Sequence, residues 1–154
     1  MSLRIGILGC GRMSRKHARK ILAHPDAKIA ALCDVGIDII ENWIEEYLSE
    51  ELVGRSRPPM YTDSVAMYRE ENLDAVVICT PHTVHFAHGK QALSAGCHIY
   101  MEKPMVTSTE EARKLAELAG NSGRILVVGY NTPCTSAFRY LRDVIRSQKL
   151  GKLE

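Results

Sequence analysis

The chain has 154 residues, 45% of them hydrophobic and 25% charged, which is enough apolar material for one sizeable core and excludes a disordered segment. Its 20 Lys and Arg against 18 Asp and Glu leave a formal net charge of +2, and the basic residues are scattered, which excludes the electrostatic footprint of a nucleic-acid binder. The longest unbroken apolar runs, Ile29 to Cys33 and Ala75 to Cys79, fall far short of the roughly 20 residues that cross a bilayer, so no membrane partner is expected.

The first β-rich run, Leu3 to Leu8, reads as a buried strand. Arg4 and glycines interrupt this opening stretch, and Arg12, Arg15 and Lys16 follow it. That order is wrong for a secretory signal, so a cytoplasmic location is expected. The run passes into Gly9-Cys10-Gly11-Arg12-Met13-Ser14, one residue away from the Gly-x-Gly-x-x-Gly dinucleotide fingerprint. Gly9 permits a tight turn and Gly11 lets backbone approach a pyrophosphate. A helix beginning near Arg12 then aims free N–H groups and its positive dipole end at the phosphates. Arg12 and Met13 are therefore read, with the two glycines, as cofactor-binding residues. Ser14 stands where close helix-to-strand packing normally takes Gly or Ala; it is small enough to fit, and its hydroxyl can bond locally. His17, farther along that helix, reads as a packing or helix-stabilising residue.

Lys28 to Cys33 reads as the next strand, ended by Asp34. That acid lies 34 − 14 = 20 residues past the third motif position, about where a carboxylate reaches ribose hydroxyls. The competing reading is a capping Asp before the helical stripe Ile37, Ile40, Ile44, Tyr47 and Leu48. A carboxylate accepts from two ribose hydroxyls but repels a 2′-phosphate, and Val35-Gly36-Ile37 brings no Arg, so NAD is favoured over NADP. A Gly-x-Gly turn alone is an ordinary strand-to-helix turn. Strand, turn, helix and acid in succession carry the nucleotide reading. Arg55 to Pro59 reads as a loop, since its adjacent prolines forbid helix, and a weaker strand candidate lies around Tyr61.

Asp74 to Cys79 and His98 to Met101 read as further strands, followed by Thr80-Pro81-His82-Thr83-Val84-His85 and by Glu102-Lys103-Pro104. His82, His85 and His88 are spaced by three, but Pro81 sets His82 before the helix and no carboxylate completes a site nearby, so no metal is expected there. Thr107 and Glu110 have capping-box spacing ahead of the stripe Leu115, Leu118 and Ala119. Arg124 to Val128 reads as a strand, and Phe138, Leu141, Val144 and Ile145 form a third helical stripe; each stripe is expected to pack on a sheet. Continuously apolar strands alternating with helices predict an α/β fold with a doubly wound parallel sheet, a Rossmann fold, of six strands if Tyr61 counts. Five cysteines, at 10, 33, 79, 97 and 134, with no Cys-x-x-Cys pair, argue against a disulfide framework and a structural zinc site.

Together, Gly9-Cys10-Gly11 with His17, Asp34, Leu73 to Pro81, His85, Ala92 to Gly96, Glu102-Lys103-Pro104 and Gly129-Tyr130-Asn131 resemble the glucose-fructose oxidoreductase, inositol dehydrogenase and MocA family of sugar and polyol oxidoreductases. The resemblance implies that Thr80, Pro81 and His85 line the dinucleotide and that Lys103 sits beside nicotinamide and substrate. His82, Glu102 and Asn131 complete the expected cofactor-binding set. Hydride transfer from an alcohol carbon requires the hydroxyl proton to leave, and Lys103 can take it as the catalytic base if burial or the nicotinamide cation favours its neutral form. Glu102 is expected to steer or pair with Lys103, and Pro104 to fix the turn.

Two departures accompany the resemblance. Thr132-Pro133-Cys134-Thr135 stand where the family commonly has basic and aromatic residues, and the sequence given ends at Glu154, where the family continues into a second α/β domain. The expected organisation is a dinucleotide-binding domain over 1–132 and, over 133–154, a helix leading towards a substrate domain. On this reading the chain is a fragment that binds NAD without turnover, and the sugar or polyol substrate and the oligomer contacts belong to the domain beyond; no functional expectation rests on Met1 to Leu3 or Lys152-Leu153-Glu154, since short terminal additions, such as a Leu-Glu scar, can be foreign to a native sequence. Two alternatives stay open: a non-catalytic NAD-sensing module, decided by the native sequence downstream of Gly151, and an S-adenosylmethionine methyltransferase, in which Glu102-Lys103-Pro104 has no evident role.

Overall fold

The chain, described over residues 2–151 of a computed structural model, forms strands where the apolar runs predict them: β1 (Leu3–Leu8), β2 (Ala27–Cys33), β3 (Met60–Tyr61), β4 (Ala75–Ile78), β5 (His98–Met101) and β6 (Leu126–Val128). Met1 and Lys152-Leu153-Glu154 lie outside the described residues. Helices α1 (Ser14–Ala23), α2 (Ile37–Tyr47), α3 (Ser64–Glu70), α4 (His85–Ser94), α5 (Thr109–Ser122) and α6 (Ser136–Arg146) alternate with them. All pairings are parallel, in the order β3-β2-β1-β4-β5-β6. The chain winds outward from β1 to β3, then returns to lay β4 on the other side of β1. That reversal opens a crevice at the carboxyl ends of β1 and β4.

Side chains alternate across the sheet with period two. Ile7 and Val77 face α1 and α2, packing with Ala18, Ile21, Ile40, Trp43 and Ile44. Leu8, Val76 and Ile78 face the other way, onto Met67 of α3, Leu93 of α4 and Leu115 and Ala119 of α5. Both faces are covered, which is why the strands read as continuous apolar runs. Truncating Ile78, which is wholly buried, to alanine would remove about 2–5 kcal/mol of stability.

Three local expectations change. α5 is capped at Ser108, one residue later than the Thr107–Glu110 box requires, and no side chain bonds the cap; Glu110 instead meets Lys114 at 2.6 Å, one turn on. α3, absent from the sequence reading, starts where Asp63 Oδ1 accepts from the Val65 amide at 2.9 Å. α6 forms over the third stripe, with Thr135 Oγ1 accepting from the Phe138 amide, but none of its residues is buried and none joins either apolar core. Both sheet faces are already occupied by α1 to α5, so Phe138, Leu141 and Ile145 remain 40–54% exposed. No helix among the described residues is long and apolar enough to cross a membrane.

Candidate functional site

The ladder runs one residue past the strand ends and so fixes the loops of the crest. Gly9 N donates to Cys33 O (2.8 Å), Cys79 N to Leu8 O (2.7 Å), Glu102 N to Ile78 O (2.9 Å) and Gly129 N to Met101 O (2.8 Å). At Gly9 φ is +96°, and a Cβ would stand 2.7 Å from the Cys79 carbonyl carbon, so the first glycine is required by backbone conformation and by the closeness of the β4 loop. Gly11 is different. Nothing lies within 4 Å of where its Cβ would be, leaving open the approach that a diphosphate needs.

Two donors hold the turn from behind. Ser14 Oγ (2.7 Å) and Trp43 Nε1 (3.0 Å) both donate to Gly11 O. A planar trans peptide then points the Arg12 N–H the opposite way. Met13 caps α1, and no acidic residue occupies its first turn, so the helix presents unpaired amides and a positive dipole end without a competing carboxylate. Ser14 is wholly buried, as the packing argument required, and its hydroxyl bonds within the turn.

Asp34 does not cap α2. Gly36 occupies that position with no side-chain bond, while Asp34 Oδ2 accepts from the Cys10 amide at 2.6 Å and Oδ1 from the Val35 amide at 2.7 Å. The acid is therefore tied to the glycine turn itself. With the Gly9 and Cys10 amides taken, the turn amides without a partner among the described residues are those of Gly11, Arg12 and Met13.

A cavity of about 670 Å³ opens at this point, walled by Gly9, Gly11, Asp34, Thr80 and Pro81 together with Val35, Thr62, Asp63, Ser64, Cys79, Val84 and His88. The first five are residues the sequence singled out. The stretch from Thr62 to Ser64 was missed, although Asp63-Ser64 ahead of an apolar run is a helix-start signal. His88 was considered only as a metal ligand; its Nδ1 lies 3.0 Å from Thr80 Oγ1, and burial, then the neighbouring His85, pushes it below the ordinary imidazole range.

The remaining predicted residues lie off that wall. Arg12 and Met13 are exposed at the rim, and His82 and Asn131 are exposed on the crest. His85 is wholly buried between two crest loops, with Nε2 2.9 Å from Thr80 O and Nδ1 3.0 Å from Pro104 O; a neutral ring donates to one of these carbonyls at a time, and His85 is not on the cavity wall. Lys103 is exposed. Its peptide bond to Pro104 is cis. Glu102 does not pair with the Lys103 ammonium: it is buried, its Oε1 meets His17 Nε2 at 2.7 Å, and its Oε2 accepts only the Lys103 amide at 3.3 Å. His17 accordingly does more than pack, although its ring does rest on Tyr100, 4.7 Å between centroids.

The model of a family described as an oxidoreductase family with an NAD-binding Rossmann fold matches residues 3–130. UDP-N-acetylglucosamine 3-dehydrogenase of Acidithiobacillus ferrooxidans is 35% identical over 92% of this chain and 41% of its own. D-glucoside 3-dehydrogenase of Escherichia coli is 28% identical over 98% of this chain and 41% of its own. The crystal structure of myo-inositol 2-dehydrogenase from Lactobacillus plantarum superposes with a TM-score of 0.83 at 26% identity, covering 99% of this chain and 43% of that one. The chain thus spans about two fifths of the length of the relatives it matches.

Proposed function

The chain belongs to this oxidoreductase family with the NAD-binding Rossmann fold, and from that premise we propose that it is the dinucleotide-binding part of an enzyme moving a hydride between nicotinamide and a hydroxyl-bearing carbon of a sugar, polyol or cyclitol. The observation that carries the reading is Asp34, bonded to the Cys10 amide on the wall of a cavity that both motif glycines share. The residues fit the cofactor, since Gly11 leaves the approach to the helix start clear. Bound NAD supplies the hydride acceptor. The amides of Arg12 and Met13 take the diphosphate at the positive end of α1. Asp34 accepts the ribose hydroxyls on lone pairs left by its two amide bonds and repels a 2′-phosphate.

Lys103, exposed on the same crest beyond β5, would receive the hydroxyl proton at Nζ as the neutral amine, having released its own proton to water before the rest of the substrate pocket closes over it. The dinucleotide domain ends near residue 132, and residues 133–154 lead to the substrate domain. The uncovered apolar stripe of α6 and the greater length of the relatives support that division. Substrate contacts and subunit assembly belong to that domain, and the free thiols, with no disulfide among the described residues, favour a cytoplasmic location. The 154 residues on their own bind cofactor but do not turn over, because nothing orients a substrate or excludes water around Lys103.

Calorimetric titration of the chain with NADH, NADPH and S-adenosylmethionine tests the reading. NADH is expected to bind at least about tenfold more tightly than NADPH, a difference of ~1.4 kcal/mol. Absence of heat with either dinucleotide at about 1 mM, or preference for S-adenosylmethionine, refutes it.

A further inference from the structure

The sequence drew attention to His82, His85 and His88 as the only histidines with ligand-like spacing, but the fold converges a different set. His17 from α1, Cys79 from the residue after β4 and Glu102 from the residue after β5 bring one ligand atom each into a group whose members all lie within 4.8 Å of one another. We propose that these three side chains form a binding site for a borderline-soft divalent cation of the zinc class.

The donor set suits that chemistry. Imidazole nitrogen, thiolate sulfur and carboxylate oxygen are the three ligand types zinc takes from proteins, and a soft sulfur beside a nitrogen disfavours Mg²⁺ and Ca²⁺. Tetrahedral coordination at ordinary zinc–ligand lengths puts donors about 3.3–3.7 Å apart. His17 Nε2 and Glu102 Oε1, now 2.7 Å apart, would separate by about 0.6–0.8 Å, and a donor as far as 4.8 Å would close by about 1.1–1.5 Å, both within the reach of side-chain rotation.

The ligands are also held by their surroundings, as metal ligands usually are. The His17 ring rests on Tyr100, and Glu102 keeps its second oxygen on the Lys103 amide. Cys79 Sγ makes no hydrogen bond among the described residues, whereas Cys10 and Cys97 each donate to a backbone carbonyl. Without metal, burial and then the Glu102 carboxylate keep the Cys79 thiol protonated, pushing it up to about 12; a dication between them reverses the sign of that influence. On binding, the thiol proton passes to water and the His17 proton moves to Nδ1, so that Nε2 offers its lone pair. Thiolate and carboxylate then neutralise the ion, and a water completes the fourth position. An ion there would join the helix of the glycine turn to the loop that carries Lys103.

Co²⁺ is the probe, because cobalt–thiolate bonds give a charge-transfer band in the near ultraviolet that nitrogen and oxygen ligands do not. The metal-free 154-residue chain is titrated with Co²⁺ and then with Zn²⁺. The expected result is a band that saturates at one equivalent, is displaced by Zn²⁺, disappears in Cys79→Ser and persists in Cys134→Ser, which removes the exposed thiol. His17→Asn and Glu102→Gln, checked for unchanged melting, should each weaken Co²⁺ binding at least tenfold. They also keep the test decisive if Cys79→Ser fails to fold. A chain without a saturable band, a band that survives Cys79→Ser or is lost in Cys134→Ser, or unchanged affinity in both other variants overturns the proposal.

Discussion

Replacing Gly9 and Gly11 by alanine, one at a time, separates the scaffold of the turn from its ligand face. At Gly9 the left-handed backbone, φ +96°, is one obstacle, and the new Cβ would meet Cys79 C at 2.7 Å and Cys79 O and Thr80 N at 2.8 Å. These are backbone atoms of the β4 loop, pinned by the Cys79–Leu8 hydrogen bond, so neither can swing aside as a flexible side chain would. Left-handed strain of about 1–2 kcal/mol and overpacking of about 1–3 kcal/mol together predict a loss of about 2–5 kcal/mol. At about 2–4 °C per kcal/mol for a chain of this size, Tm falls by about 4–20 °C. At Gly11 the backbone is not left-handed and no atom lies within 4 Å of the added Cβ. Alanine there should leave stability within about 0.5 kcal/mol yet weaken NADH binding at least about tenfold, because the methyl group stands where the diphosphate approaches. Thermal unfolding by circular dichroism and calorimetric titration read the two effects separately. An unaltered Tm in Gly9→Ala, or unaltered NADH affinity in a stable Gly11→Ala, would refute the reasoning.

Asp34→Asn keeps an oxygen for the Cys10 amide but loses the charge. NADH should weaken by about 1.5–3 kcal/mol, roughly tenfold or more in Kd, and the gap to NADPH should shrink; an unchanged NADH to NADPH ratio counts against a ribose-binding role. A native thiol titration should show one fast-reacting cysteine, the exposed Cys134, and all five after unfolding. Burial holds Cys33 and Cys79 up to about 12 and Cys10 higher still, so two or more fast thiols in the folded chain would contradict the structure. His88 lies below its ordinary value of 6.5, chiefly through burial. A depressed imidazole contributes stability that is fully present above the unfolded value and is lost as pH falls through the folded one. Chemical denaturation at about pH 7.5 and about pH 5.5 should therefore show a drop that is smaller in His88→Gln; an equal drop in both proteins removes His88 as its source.

The parallel sheet was legible because burial on both faces removes alternation from the strands, and runs such as Asp74 to Cys79 carry that mark without ambiguity. The glycine turn and Asp34 were legible for a different reason: β1 and β2 lie side by side in parallel, so the residues that follow them meet at the crest. What sequence order does not carry is which side chain turns to which neighbour. Glu102 adjoins Lys103 in the chain, yet the strand-end register sends its carboxylate to His17, 85 residues away. Trp43, part of an ordinary apolar helix face, turned out to hold Gly11 O through its indole N–H. His85 matched a position that the resemblance gave to the cofactor, but its ring is buried between the Thr80 and Pro104 carbonyls. The helical period of α6 was correct, whereas its packing depended on whether a sheet face remained uncovered, which no local pattern records.

The most direct test of the nucleotide assignment is an amide-resolved NMR titration of the ¹⁵N-labelled chain with NAD. The account predicts saturable shifts concentrated at Gly9 to Met13, at Asp34 and Val35, and at Thr80, with the rest of the sheet unmoved. Shifts confined to the far side, for example around Tyr68, Lys90 and Ser94 between α3 and α4, or none at saturating NAD, would contradict it.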